Sequence, residues 1–159
     1  TNQLINSYKR MVSGYESPVY VSWARNNRSA LVRVPIHKAG KASSTRIEYR
    51  ALDSAANPYL AYSVILAAGL KGIEDGYELP DEADENLWSL NREQARKAGL
   101  QRLPQDLREA LDLMEESELV RDVLGEHIFE WFIRNKREEW EEYQRHVTPY
   151  EIERYLPIW

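Results

Sequence analysis

Three short β-favouring runs crowd into the first fifty residues, and the remainder of the chain reads as helix and loop. Val19-Tyr20-Val21-Ser22-Trp23 and Ala30-Leu31-Val32-Arg33-Val34 are the first two, and the stretch from Ser43 to Arg50 is the third. β-Branched and aromatic residues favour strands, and a strand sends alternate side chains to opposite faces. Three strands cannot hide both of their own faces, so this third of the chain must continue a sheet whose remainder lies upstream. The expected fold class is α+β, with antiparallel strands first and a helical segment after them.

The third run carries the sharpest pattern. Arg46, Glu48 and Arg50 share one face, with Ile47 and Tyr49 on the other. One reading is an ion-pair ladder on a solvated surface. The other is a polyphosphate and metal site. Two guanidiniums offer forked donors to phosphate oxygens, and the carboxylate between them can hold a divalent cation.

Charge bears on that choice. The net charge of −5 conceals a split, because residues 1–50 hold nine Lys/Arg and two acids. The bases there are mostly arginines at defined spacings, not lysine runs, and the rest of the chain is acidic. That combination points to a bound small anion and away from nucleic acid, whose phosphate backbone the acidic part would repel. The chain has no cysteine, which excludes disulfides and thiol chemistry and fits a cytoplasmic protein. His37, His127 and His146 are scattered, so a His-rich zinc site is not expected. No apolar run approaches the length of a membrane span, so no membrane partner is expected.

The helices have local start signals. Thr1-Asn2 caps a short helix to Arg10, and Asn57-Pro58 caps one that runs to Ala68 and stops near Gly69 to Gly72. The latter is apolar almost all round, which predicts burial. Asp75 to Asp84 reads as an acidic loop. Arg92–Lys97 and Gln105–Met114 read as short amphipathic helices, and Leu119 to His146 as one or two longer ones. Thr148-Pro149-Tyr150-Glu151 is a capping box opening a last helix, in a tail rich in aromatic and aliphatic residues. The chain divides accordingly into a strand and loop segment (1–56), a helical part (57–147) and a C-terminal tail (148–159).

Six blocks in order carry a family resemblance: Asn6-Ser7-Tyr8-Lys9-Arg10, Gly14-Tyr15-Glu16-Ser17-Pro18, Asn27-Arg28-Ser29-Ala30, Arg33-Val34-Pro35, Arg46-Ile47-Glu48-Tyr49-Arg50 and Ala55-Ala56-Asn57-Pro58-Tyr59-Leu60. Together they resemble the C-terminal part of bacterial type I glutamine synthetase, over essentially the whole chain. The resemblance implies ATP-dependent joining of ammonia to glutamate through a γ-glutamyl phosphate, with Mg²⁺ or Mn²⁺. Such chemistry gathers many negative charges in one cleft and is catalysed mainly by positioning and charge neutralisation, which calls for arginines and metal.

The resemblance also implies residue roles. Arg10 would grip a carboxylate of substrate glutamate. Glu16 would lie on a flap, bind ammonium and take its proton. Arg28 would neutralise the transferring phosphoryl group and bind nucleotide phosphate. Arg33 would lie on the nucleotide side and Arg46 would contact ATP. Glu48 would ligate the metal, and Arg50 would face the γ-phosphate or substrate. It further implies that the N-terminal domain and most metal carboxylates precede this stretch, and that the fragment alone is inactive. The assembly implied is a dodecamer of two hexameric rings, held ring to ring by C-terminal segments. Some members regulated by adenylylation carry a tyrosine in an Asn-Leu-Tyr block, where this chain has Asn86-Leu87-Trp88. Relatives that ligate glutamate to polyamines or other amines, and an inactive assembly module, are the alternative readings.

Overall fold

The computed structural model describes residues 2–158. Thr1 and Trp159, expected as part of the first helix cap and as the end of the apolar tail, lie outside the described residues.

The start of the chain is a 3-10 helix, Ile5–Arg10. Asn2 does not cap it. Its buried amide instead donates from Nδ2 to the Ala51 carbonyl (2.9 Å) and accepts from the Asp53 amide (2.8 Å). The Asn2 carbonyl takes the hydroxyl of Tyr8 (2.8 Å). Burial holds that phenol protonated, its pKa raised above the ordinary tyrosine value. These bonds stitch the first residues to the segment just after the third strand.

The strands are β1 (Trp23–Arg25), β2 (Val32–Val34) and β3 (Glu48–Tyr49), in spatial order β1-β2-β3. β2 and β3 are antiparallel, with Val32 opposite Tyr49 and Arg33 opposite Glu48. β1 and β2 are parallel, with Trp23 opposite Val32. The sheet is therefore mixed, not antiparallel throughout as the sequence pattern leads one to expect. A parallel pair usually needs a long crossover, but strands of three residues can be joined by residues 26–31. Asn26 makes the reversal, with φ of 63° and its Oδ1 accepting from the Ile36 amide (3.1 Å).

The first β-favouring run is also shifted. Val19 and Tyr20 are buried and extended, but they pair with residues 101–103, not with the sheet. The Val21 amide donates to Gln101 and the Leu103 amide to Val19, both at 2.8 Å. The third run forms a 3-10 turn at Ala42–Ser44 before its short strand.

Helix α1 (Pro58–Glu74) starts as expected, since Asn57 Oδ1 accepts from the amides of Tyr59 (3.0 Å) and Leu60 (3.3 Å). It passes through Gly69 and Gly72 and stops at Gly76, whose φ of +65° suits a left-handed C-terminal cap. The Tyr77 amide closes that cap on the Gly72 carbonyl (2.9 Å). The expectation that α1 is buried is overturned. Only Ala61 is buried, and Tyr59, Tyr62, Leu66 and Ile73 stand exposed. A helix apolar on all sides needs cover on two sides, and within this chain the packing comes from α4 (Glu118–Arg145).

The remaining helices are α2 (Arg92–Lys97), α3 (Leu107–Glu115) and α5 (Pro149–Tyr155). α4 is broken at Gly125, where φ is 72° and ψ is 153°. The Thr148-Glu151 capping box is formed. α3 is tied to α4 by Arg137, which meets Asp112 at 2.6 Å and Glu115 at 2.7 Å. The main core joins Tyr8, Met11, Leu31, Ala51, Leu107 and Leu111, so the sheet rests on α3 and α4. A smaller core of Val19, Tyr20, Leu87 and Ala95 sits under the acidic loop. Among the described residues no helix is long and apolar enough to cross a membrane.

Candidate active site

The sheet register builds the first part of the site. Because Arg33 on β2 lies opposite Glu48 on β3, its Nη1 donates to Glu48 Oε2 at 2.8 Å. Arg46 approaches the other carboxylate oxygen at 3.8 Å. The ion-paired set is thus Arg33, Glu48 and Arg46, in place of a ladder along the single run from Arg46 to Arg50. The hydrogen bond from Arg33 holds the Glu48 carboxyl below its ordinary pKa. Burial opposes this, and the charges of Arg33, Arg46 and Arg50 add to it. Glu48 is therefore a carboxylate at neutral pH. The Nε of Arg33 is buried and has no hydrogen-bond partner.

Arg50 leaves this set and turns to the loop that bears Glu16. Its Nη2 donates to the carbonyl of Glu16 (3.1 Å), while its own Nε is buried without a partner. Arg10 reaches the same loop from the other side. Its Nε donates to Ser17 Oγ (2.9 Å), its Nη2 to the Arg50 carbonyl (2.9 Å) and its Nη1 to the Leu52 carbonyl (3.3 Å). Three of its five N–H groups are used by the protein, and two remain for a carboxylate ligand. The loop that bears Glu16 turns at Gly14 (φ +101°), a backbone region that favours glycine. Tyr15 and Glu16 project into solvent beyond a foot that begins at the buried Ser17.

Arg28 lies on the loop between β1 and β2 and is exposed. Its neighbours fix that loop. Asn27 Oδ1 accepts from the amide (2.9 Å) and hydroxyl (2.7 Å) of Ser29, and Asn27 Nδ2 donates to the carbonyls of Ala83 (2.6 Å) and Glu85 (2.9 Å). No hydrogen bond or ion pair joins Arg28 to the other site residues among the described residues.

The fold thus makes two linked groups, Arg33-Glu48-Arg46 and Arg10-Arg50-Glu16, and holds Arg28 on a separate braced loop. The described residues contain no group of three or more His, Cys, Asp or Glu suited to a metal ion. Glu48 is the one carboxylate in the Arg33-Glu48-Arg46 group. Sequence reasoning gave Trp88 no part in the site, yet its indole Nε1 donates to the Ser17 carbonyl (2.8 Å). It read Asn2 as a helix cap and gave Asn27 and Ser29 no role of their own, whereas these side chains hold the loops. A half-buried tryptophan must place its single N–H donor, and that is the signal available in the sequence.

A family model described as the glutamine synthetase catalytic domain matches residues 1–155. Glutamine synthetase of Mycolicibacterium smegmatis is 56% identical over 158 residues, covering 99% of this chain and 35% of that protein. Glutamine synthetase of Methanosarcina mazei is 45% identical over the same shares. Among solved structures, GmaS in complex with ADP superposes with a TM-score of 0.80 at 32% identity, over 98% of this chain and 35% of that one. Plasmodium falciparum glutamine synthetase superposes with a TM-score of 0.77 at 25% identity, over 97% of this chain and 37% of that one. The chain spans about a third of the length of the curated relatives it matches.

Proposed function

The chain belongs to the glutamine synthetase catalytic-domain family, and from that premise we propose that it is the C-terminal active-site portion of a cytoplasmic ligase joining ammonia to glutamate at the expense of ATP. The observation that carries the reading is the gathering of Arg33 and Arg46 on Glu48, with Arg10 and Arg50 joined at the loop that bears Glu16. Guanidiniums offer forked donors that suit phosphate and carboxylate oxygens. That ADP occupies the GmaS neighbour supports a nucleotide ligand.

In this reading ATP phosphorylates the γ-carboxylate of glutamate, and ammonia then displaces phosphate from the acyl carbon. Arg10 holds a carboxylate of glutamate with its two free N–H groups. Arg33 and Arg46 flank the nucleotide, and Arg28 and Arg50 neutralise the phosphoryl group as charge builds on it. Glu16 on the flap binds ammonium and accepts its proton, which is the work of a carboxylate enclosed when a loop closes. Glu48 fits one position of a divalent ion, Mg²⁺ or Mn²⁺, with further ligands drawn from the preceding part of the parent chain. Such an ion would neutralise phosphate charge.

The tail adds an assembly reading. Tyr150, Leu156 and Ile158 are strongly exposed, and Ile152 and Tyr155 are about half exposed. Among the described residues α5 has its main contacts with the 3-10 turn that comes directly after it. Burying one large apolar side chain contributes roughly 1.5–3 kcal/mol, so this surface favours a second subunit. A dodecamer of two six-membered rings, with the tail crossing between subunits, is the form we propose.

The test is activity of the full-length parent with glutamate, ATP, Mg²⁺ and ammonium, run beside putrescine. Glutamine formed with ammonium, and little product with putrescine, is the expected result. Product with putrescine alone would make the protein an amine ligase of the same family, and no product with either would make it an inactive relative.

A further inference from the structure

The segment 83–89 touches both loops that carry exposed site residues. At one end, Asn27 donates to the carbonyls of Ala83 and Glu85, and the Leu87 amide donates to Ser29 Oγ (3.0 Å). Those bonds grip the loop bearing Arg28. At the other end, the Trp88 indole donates to the Ser17 carbonyl (2.8 Å), at the foot of the loop bearing Glu16. Trp88 itself packs against the small core of Val19, Tyr20, Leu87 and Ala95, and the Asn86 side chain accepts from its backbone amide (3.1 Å). Its ring is therefore held in place from below, and its N–H is aimed at one backbone carbonyl.

We propose that Trp88 is a positioning residue for the flap, bracing the Ser17 foot against the segment that also braces the Arg28 loop. The inference rests on the ligase reading above and adds a residue to which that reading gave no role. The flap foot has three anchors. Arg50 holds the Glu16 carbonyl, Arg10 holds the Ser17 hydroxyl, and Trp88 holds the Ser17 carbonyl. The first two are arginines to which the ligase reading also assigns ligands. Trp88 alone is anchored in an apolar core and keeps its grip whatever is bound. It sets the hinge at Ser17, so that closure moves the stretch from Gly14 to Glu16 and returns the Glu16 carboxylate to one place.

Ammonia capture depends on where Glu16 lands, whereas phosphorylation of glutamate depends on the arginines. Loss of the indole donor should separate the two. In the full-length protein, Trp88→Phe keeps an aromatic ring in the small core and deletes only the N–H. One lost hydrogen bond predicts an ammonium KM raised about fivefold. The ATP KM should stay within about twofold, and ADP should form in excess of glutamine as water reaches the acyl phosphate. Leu90→Ala is the packing control, because Leu90 lies against the same core without reaching the flap. It should lower thermal stability and leave the ammonium KM and the ADP-to-glutamine ratio unchanged. An unaltered ammonium KM and ratio in Trp88→Phe overturns the proposal, and so does a Leu90→Ala variant that reproduces its shift. If the unmutated protein makes no glutamine, the ligase reading fails, and amide hydrogen exchange at residues 12–18 decides the brace alone. Faster exchange in Trp88→Phe supports it, and unchanged exchange overturns it.

Discussion

Arg10 offers the sharpest separation between a residue that binds substrate and one that holds the site together. Its guanidinium joins the flap foot to the strand exit through two bonds of 2.9 Å, to Ser17 and Arg50, and a longer one of 3.3 Å to Leu52. A lysine at this position keeps the positive charge but presents one compact ammonium in place of a planar fork. It can replace at most one of the three bonds. Hydrogen bonds from a charged group are worth about 1.5–3 kcal/mol each, and Arg10 is only partly buried, so the lower end applies. Losing the two short bonds then costs about 3 kcal/mol locally. If the segment opens by local fluctuation, that equals roughly a hundredfold faster amide exchange, since 1.4 kcal/mol is about tenfold. Native-state hydrogen exchange on full-length Arg10→Lys, read at residues 13–18 and 50–53, measures it with no substrate present. Exchange unchanged within about threefold, whatever happens to activity, would refute the clamp and leave Arg10 a substrate ligand only.

Glu48→Ala in the full-length protein should lower turnover and weaken its dependence on Mg²⁺ with the fold retained, and unchanged metal activation would sink the metal role. The depressed pKa of Glu48 fixes the sign of a pH effect: the Arg33–Glu48 link is intact above the ordinary carboxylate pKa and is lost as pH falls through the lower folded value. An NMR titration of the Glu48 carboxyl checks this, and a midpoint above the ordinary glutamate value would contradict it. Gly125→Ala should destabilise by about 1–3 kcal/mol although a methyl group there meets open space, because φ of +72° with extended ψ is a region nearly confined to glycine. Thermal or denaturant unfolding measures this loss, and a neutral variant would show that α4 straightens at no cost. Deleting residues 148–159 from the parent protein should convert a dodecamer to single rings by mass in solution, and an undisturbed dodecamer would refute the proposed role of the tail.

What the sequence disclosed, and what it withheld, divides by the range of the interaction. Asn57 with Pro58, and Thr148 with Glu151, act within four residues of chain, so the cap can be read before the fold is known. The strands act at longer range. Val19 and Tyr20 were legible as extended and apolar, but no local pattern points to their partners at residues 101–103. The same limit governs the site. The alternation of Arg46, Glu48 and Arg50 places three charges on one face, yet the closest partner of Glu48 is Arg33 from the neighbouring strand. Register decides that pairing, and a slip of one residue would have turned Arg33 to the opposite face. α1 shows the converse case. Its apolar composition predicts burial, but among the described residues only Ala61 of α1 is buried. Tyr59, Tyr62, Leu66 and Ile73 remain exposed in a chain about a third as long as its relatives. Burial of an apolar helix thus depends on what packs against it from far along the chain, whereas a cap depends on its own turn. The site residues lie between these limits, because Arg33 meets Glu48 from 15 residues away and Arg50 meets Glu16 from 34, whereas Arg46 pairs with its near neighbour Glu48.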